Sequence, residues 1–256
     1  ADADKPAADH VQEGVSRPGH SLAGKEENGM LSVYRKEIKY VIPLEAFVSI
    51  EGQLDLLMKR DSYGENGTYR VRSQYYDSLT DRDLWDNLSG VMEKRKIRLR
   101  IYSPEDQRVK LEYKCKSGSD GEKYSLNISR EEASLMEDHR YEFLLGREEP
   151  LAAQLYARMA GGTYRPRTIV EYQRTAFTYP VSDTRITYDH EIMGSVNPYG
   201  LFEKQPFYTP LLQPDVGILE VKYNDFLPPQ LKAAVSRIDG LAEASSKYSK
   251  ARLAYI

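Results

Sequence analysis

Charged residues alternate with apolar ones at a period of two in four stretches of this 256-residue chain, and the charged side is mostly cationic. KIRLRIY supplies Lys96, Arg98 and Arg100; VKLEYKCK supplies Lys110, Glu112, Lys114 and Lys116; YRKEIKY supplies Arg35, Glu37 and Lys39; GILEVKYN supplies Glu220 and Lys222. A β-strand points successive side chains to opposite faces, so each stretch presents one apolar and one charged face. With Arg174 and Arg185 added, the charged faces hold eleven cations against four anions (Glu37, Glu112, Asp189, Glu220), although the formal net charge is -3. A merely solvated face mixes signs to keep like charges apart across strands. The surplus points to an anionic ligand. Arginine grips phosphate oxygens through paired hydrogen bonds, lysine acts as a point charge, and sparse carboxylates suit a divalent metal that bridges phosphates.

The elements that must position these groups read as interleaved strands and helices. Residues 1–29, rich in Ala, Asp, Glu, Gly, Pro and Ser without apolar periodicity, are expected to be a disordered or tag-derived leader ahead of a domain over 30–256. Pro43 opens a helix through PLEAFVSIEGQLDLLMKRD, a strand follows Gly67, and a short connection ends at Gly90. SPEDQ joins the two most cationic strands as a hairpin turn. Ser129 caps a helix with Glu131 and Glu132 in its first turn, and residues 141–161 are expected to be helical up to Gly161-Gly162. YRPRTIVEYQRTAFTY, DTRITYDHEI and DVGILEVKYN read as strands, the last two separated by a Pro, Gly and Tyr-rich connection. A helical C-terminal segment completes a single α+β domain. An antiparallel sheet carrying so many cations on one face solves its packing problem by rolling into a β-barrel, with helices packed outside on the apolar faces and charges lining the interior.

Composition narrows the class. At 40% hydrophobic and 29% charged residues the chain is an ordinary globular one with enough length for a core, and no apolar run approaches a membrane span. One cysteine, Cys115, rules out an intramolecular disulfide and fits a reducing compartment. A pI near 5.9 and the absence of a helix-turn-helix or RNP-like signature argue against nucleic acid as a partner.

The ordered set YRKEIKYVI, YRVRSQYYDS, RKIRLRIY, VKLEYKCK, VEYQRTAF, TRITYDHEI, ILEVKYN and SSKYSKA resembles the VTC (vacuolar transporter chaperone) polyphosphate polymerase domain of the triphosphate tunnel metalloenzyme, or CYTH-like, superfamily. The resemblance runs from about Val33 to Ala251. It implies an antiparallel tunnel in which the γ-phosphate of ATP passes to a growing inorganic polyphosphate chain. It further implies that Lys39, Arg98, Arg100, Arg174 and Arg185 act on the transferring phosphoryl group and that Lys114, Lys222, Lys247 and Lys250 bind phosphates. Glu220, with Glu37, would hold Mn or Mg. The expected location is cytoplasmic, with any membrane attachment through a separate membrane-protein partner.

Two departures from the superfamily pattern matter. Hydrolases there carry ExExK on the first strand, whereas this chain has Arg35-x-Glu37-x-Lys39, which disfavours metal activation of water; in GEKYSLNIS, Ser125 follows Lys123 where a second cation is usual. A tunnel triphosphatase and a non-catalytic polyphosphate or inositol-phosphate binding module stand as alternatives. At single positions, Glu112 is either a partner for Lys110 and Lys114 or an aid to the metal, Asp189 is expected to pair with Arg185, and Tyr34, Tyr248 and the PYGLFEKQPFY tyrosines are candidates for touching the nucleotide.

Overall fold

A computed structural model describes residues 35–118, 120–238, 240, 242–243 and 246–255. The expectation for residues 1–29, and Tyr34 as a nucleotide contact, lie outside the described residues. In chain order the elements are β1 (Arg35–Pro43), α1 (Leu44–Leu57), β2 (Lys59–Arg60), β3 (Thr68–Asp77), α2 (Arg82–Leu88), β4 (Glu93–Ile101), β5 (Arg108–Ser117) and β6 (Asp120–Ser129). Then come α3 (Arg130–Glu137), α4 (Pro150–Gly161), β7 (Arg165–Tyr179), β8 (Thr184–Ser195), β9 (Thr209–Pro210), β10 (Val216–Asn224), α5 (Pro229–Val235) and α6 (Lys247–Leu253).

The strands form one antiparallel sheet of ten, ordered β1-β10-β8-β7-β3-β4-β5-β6, with β2 on β7 and β9 on β8. The hydrogen-bonded ladder is open among the described residues, with β1 and β6 as its edges; the expected closed barrel is not made by backbone pairing. Side chains and the C-terminal segment span the gap instead. Lys114 of β5 reaches Glu37 of β1 at 3.3 Å, and residues 242–243 lie along β1 through a Tyr40–Ala242 bridge and a hydrogen bond from the Glu243 amide to Lys39 O at 2.8 Å.

The apolar halves of the alternating strands explain where most helices sit. Ile97, Leu99, Ile101, Val109, Leu111, Leu126 and Ile128 are buried against Ala133 and Met136 of α3 and Ala152, Leu155 and Met159 of α4. At the other end of the sheet, Ile42, Phe177, Ile186, Tyr188, Leu219 and Val221 pack under α1 and α5. Each fully buried Leu or Ile contributes roughly 1.5–3 kcal/mol, so these two cores commit the strand faces firmly. Helix α6 departs from the expectation of helices only outside: Tyr248 and Ala251 pack with Val71, Val170, Tyr172 and Ile218, which lie on the opposite face, the one that carries the charges.

Local chemistry sets the helix ends. Ser129 caps α3 with a full capping box, its hydroxyl accepting from the Glu132 amide while Glu132 accepts from the Ser129 amide. The expected helix over 141–161 is split into a 3-10 turn at Glu142–Gly146 and α4, because Pro150 starts a new helix and holds Glu149 extended before it. The C-terminal helical segment is likewise two helices, interrupted where residues 242–243 pair with β1. The long connection between β8 and β10 is tied to the outer face of β3. Arg72 donates to Leu201 O and Glu203 O at 2.9 and 2.6 Å, and Gln74 donates to Pro198 O at 2.8 Å. Among the described residues no helix is long and apolar enough to cross a membrane.

Candidate anion and metal site

Register decides which side chains meet. Lys39 of β1 lies opposite Glu220 of β10, and Glu37 opposite Lys222. On the far side of the sheet Arg98 lies opposite Glu112 and Lys96 opposite Lys114, while Arg174 lies opposite Asp189. Antiparallel partners share a face, so the charges from β1, β4, β5, β7, β8 and β10 all project onto one concave side.

Three ion-pair clusters result. In the first, Lys39 contacts Glu37 and lies 3.4 Å from Glu220, Lys222 contacts Glu220 and lies 3.8 Å from Glu37, and Lys114 approaches Glu37 from β5. In the second, Glu112 receives Arg98 at 2.6 Å, Arg100 at 3.6 Å and Lys123. In the third, Asp189, fully buried, takes both arms of Arg174 at 2.7 and 2.8 Å and Lys247 of α6 at 2.6 Å. Eight cations thus share four carboxylates.

Several expectations change at this point. Asp189 pairs with Arg174 and Lys247, not with Arg185, because Arg174 is its cross-strand partner; Arg185 turns to the rim, onto Asp61 at 2.7 Å and the Tyr69 hydroxyl at 3.0 Å. Glu112 serves Arg98, Arg100 and Lys123 rather than Lys110 and Lys114, since Lys110 lies over the Tyr102 ring and Lys114 reaches Glu37. Lys250 binds Glu243 at 3.2 Å, so of the two C-terminal lysines only Lys247 joins an inward carboxylate. Tyr248 is buried and donates to Asp77 at 2.6 Å, which makes it an anchor for α6 and not a nucleotide contact. Lys123, set aside on sequence because its neighbour is Ser125, enters through its register opposite Lys114. Asp61 and Tyr75, whose hydroxyl accepts from Arg98 at 3.1 Å, carried no sequence signal.

The electrostatics follow from crowding. Burial and Glu220 push the Glu37 carboxyl up, but Lys222, Lys39 and Lys114 outweigh them and hold it at about 2. Burial also opposes ionisation of Glu220 and Asp189; Lys222 and Lys39 keep Glu220 well below the usual carboxylate range, and Arg174 and Lys247 hold Asp189 at about 2. Among the described residues Lys96 has no carboxylate of its own. It donates to Ser246, the residue that caps α6, at 2.9 Å, and burial with Lys39, Lys114 and Arg98 nearby pushes it down to about 7.

Acidic donors for a divalent cation are sparse on this face. Among the described residues no three acidic, His or Cys side chains converge. Glu220 and Glu37, at diagonal positions on adjacent strands, are nonetheless held ionised by lysines, and two such carboxylates suit a hard cation whose shell is completed by phosphate oxygens and water.

Comparison with solved structures finds a candidate adenylate cyclase from Bacillus halodurans, 12% identical, covering 83% of this chain and 96% of its own, with a TM-score of 0.49. It also finds the PH1819 protein from Pyrococcus horikoshii OT3, 13% identical over 84% of this chain and 97% of its own, with a TM-score of 0.43. No curated protein matches the chain. The VTC domain matches residues 34–255, which takes in every cluster described above, and the chain belongs to that family.

Proposed function

We propose that this VTC domain is a polyphosphate polymerase that transfers the γ-phosphate of ATP to the end of an inorganic polyphosphate chain, inside a tunnel completed where Lys114 and residues 242–243 approach β1. One observation carries the reading: eight cations share four carboxylates on a concave face, an imbalance that a polyanion neutralises and that a fold without one would have little reason to retain. The terminal oxygen of the polyphosphate chain attacks the γ-phosphorus, a new P–O–P bond forms as the bond to the β-phosphate oxygen breaks, and ADP leaves with the electron pair. No side chain is needed as a covalent nucleophile.

The residues supply alignment and charge. Arg98 and Arg100, fixed by Glu112, and Arg174, fixed by Asp189, present their guanidinium groups to phosphoryl oxygens, while Lys39, Lys114, Lys222, Lys123 and Lys247 neutralise the chain. Arg185 serves from the rim and Lys250 from the middle of α6, beside Glu243. Glu220 and Glu37 would hold Mn or Mg, which supplies Lewis-acid neutralisation of charge on the transferring group when bound. We place the domain at the cytoplasmic face of a membrane, held by a separate membrane-protein partner.

The test is turnover of ATP with Mn, read both for long-chain polyphosphate and for free phosphate. Long chains that disappear in Glu220→Ala support polymerisation. Free phosphate alone would identify a triphosphatase and sink the proposal, and tight polyphosphate binding without turnover would identify a binding module.

A further inference from the structure

Four buried threonines lie on the central strands, and three of them have hydrogen-bond partners. Thr168 donates to Ser195 O at 3.0 Å, Thr184 to Val181 O at 2.8 Å, and Thr175 shares a hydrogen bond with Thr68 at 3.1 Å. Thr187 has none among the described residues, although it is only 3% exposed. Its strand neighbours Ile186 and Tyr188 pack in the core under α1 and α5, so Thr187 points to the opposite, charged face, where it lies opposite Glu220.

Two residues earlier on the same face stands Arg185, opposite Lys222. Its Nη2 is occupied by Asp61 and Tyr69, but its Nε–H is buried and no described group accepts from it. Successive residues on one strand face stand about 7 Å apart, within the span of a phosphoryl group and its bridging oxygen. A buried hydroxyl and a buried guanidinium N–H left unpaired both destabilise the protein on its own. Both can donate, and an ammonium group faces them from β10. Lys222 is already shared by Glu220 and Glu37, so a ligand rich in acceptors and carrying negative charge satisfies the two unpaired donors and is attracted by the ammonium as well.

We propose that the Thr187 hydroxyl completes, beside the Glu220 carboxylate, a subsite for one phosphoryl group of a linear polyphosphate, together with the Arg185 Nε–H and Lys222, two cations that the family resemblance already implies for phosphate. This rests on the polyphosphate reading above and adds Thr187 as a positioning group. It places one phosphate of the chain against β8 and gives Arg185 a second role besides its rim contacts.

The experiment compares wild type, Thr187→Val and Thr187→Ser for binding of tripolyphosphate and of a non-hydrolysable ATP analogue by titration calorimetry, together with melting of the ligand-free protein. Valine keeps the shape and removes the donor. It should weaken binding by about tenfold to a hundredfold, the range of a hydrogen bond to a charged group, while the ligand-free protein melts at the same or a higher temperature. Serine should restore binding. Loss confined to one ligand supports the subsite and assigns it to that ligand's phosphates. Wild-type binding matched within twofold by Thr187→Val would overturn the subsite alone, whereas a wild type that binds neither ligand would remove the polyphosphate reading and the subsite with it.

Discussion

Lys96 gives the most direct measure of how the charged face is poised. Burial first, then Lys39, Lys114 and Arg98, bring its ammonium from an ordinary 10.5 down to about 7, with Glu37 only partly compensating. At about 1.4 kcal/mol per pH unit, charging Lys96 in the ligand-free protein is disfavoured by on the order of 3–5 kcal/mol. At pH 8 about one molecule in ten would carry the proton. A polyphosphate bound among Lys39, Lys114 and Arg98 reverses the local field, so Lys96 should take up nearly one proton on binding. Calorimetric titration with tripolyphosphate at pH 8, in buffers of different ionisation enthalpy, reads this number. Lys96→Met is the control, because the ligand's own protons move in both proteins and cancel in the difference. The reasoning is refuted if the two proteins differ by less than about 0.3 proton. The same shift has a stability signature. Between pH 7 and 10.5 the unfolded chain holds the Lys96 proton and the folded one does not, so wild-type stability should rise with pH across that window relative to Lys96→Met.

Two carboxylates predict opposite behaviour. Asp189→Asn leaves Arg174 and Lys247 buried without a counter-charge and should destabilise by about 3–5 kcal/mol in urea denaturation. In wild type, Asp189 held at about 2 against an ordinary 3.8 contributes about 2 kcal/mol that is present above pH 4 and lost as the pH falls toward 2; an acid limb unchanged in Asp189→Asn would contradict this. Asp83 runs the other way. Burial and Asp77 push it up to about 6, so stability present below pH 4 is lost as the pH rises to 6, and Asp83→Asn should melt higher than wild type at pH 8 but not at pH 4.

The alternation of Lys96, Arg98 and Arg100 with Ile97 and Leu99 was legible as a two-faced strand because strand geometry has only two faces, and the structure places the two sets accordingly. The charge surplus was legible for the same reason. Ser129 was readable as punctuation, whereas Pro150, which divides a segment expected to be one helix, was passed over. The partner of each carboxylate was not legible. Asp189 is four residues from Arg185 in the chain, yet the ladder sets it against Arg174 and α6 delivers Lys247 to it. Lys123 was passed over on local pattern and enters through cross-strand register.

The sequence by itself determined that several strands would carry cations on one face and that a handful of carboxylates would sit among them. Those conclusions depend on side-chain type and a period of two, both local properties. Only the tertiary structure decided that Glu37 and Glu220 lie on adjacent strands, each opposite a lysine, that Lys114 spans the open edge to reach Glu37, and that α6 enters the charged face instead of covering an apolar one. Register and strand order bring together residues nearly two hundred positions apart, and which of them find no partner among the described residues, as with the Thr187 hydroxyl, depends on every neighbour at once.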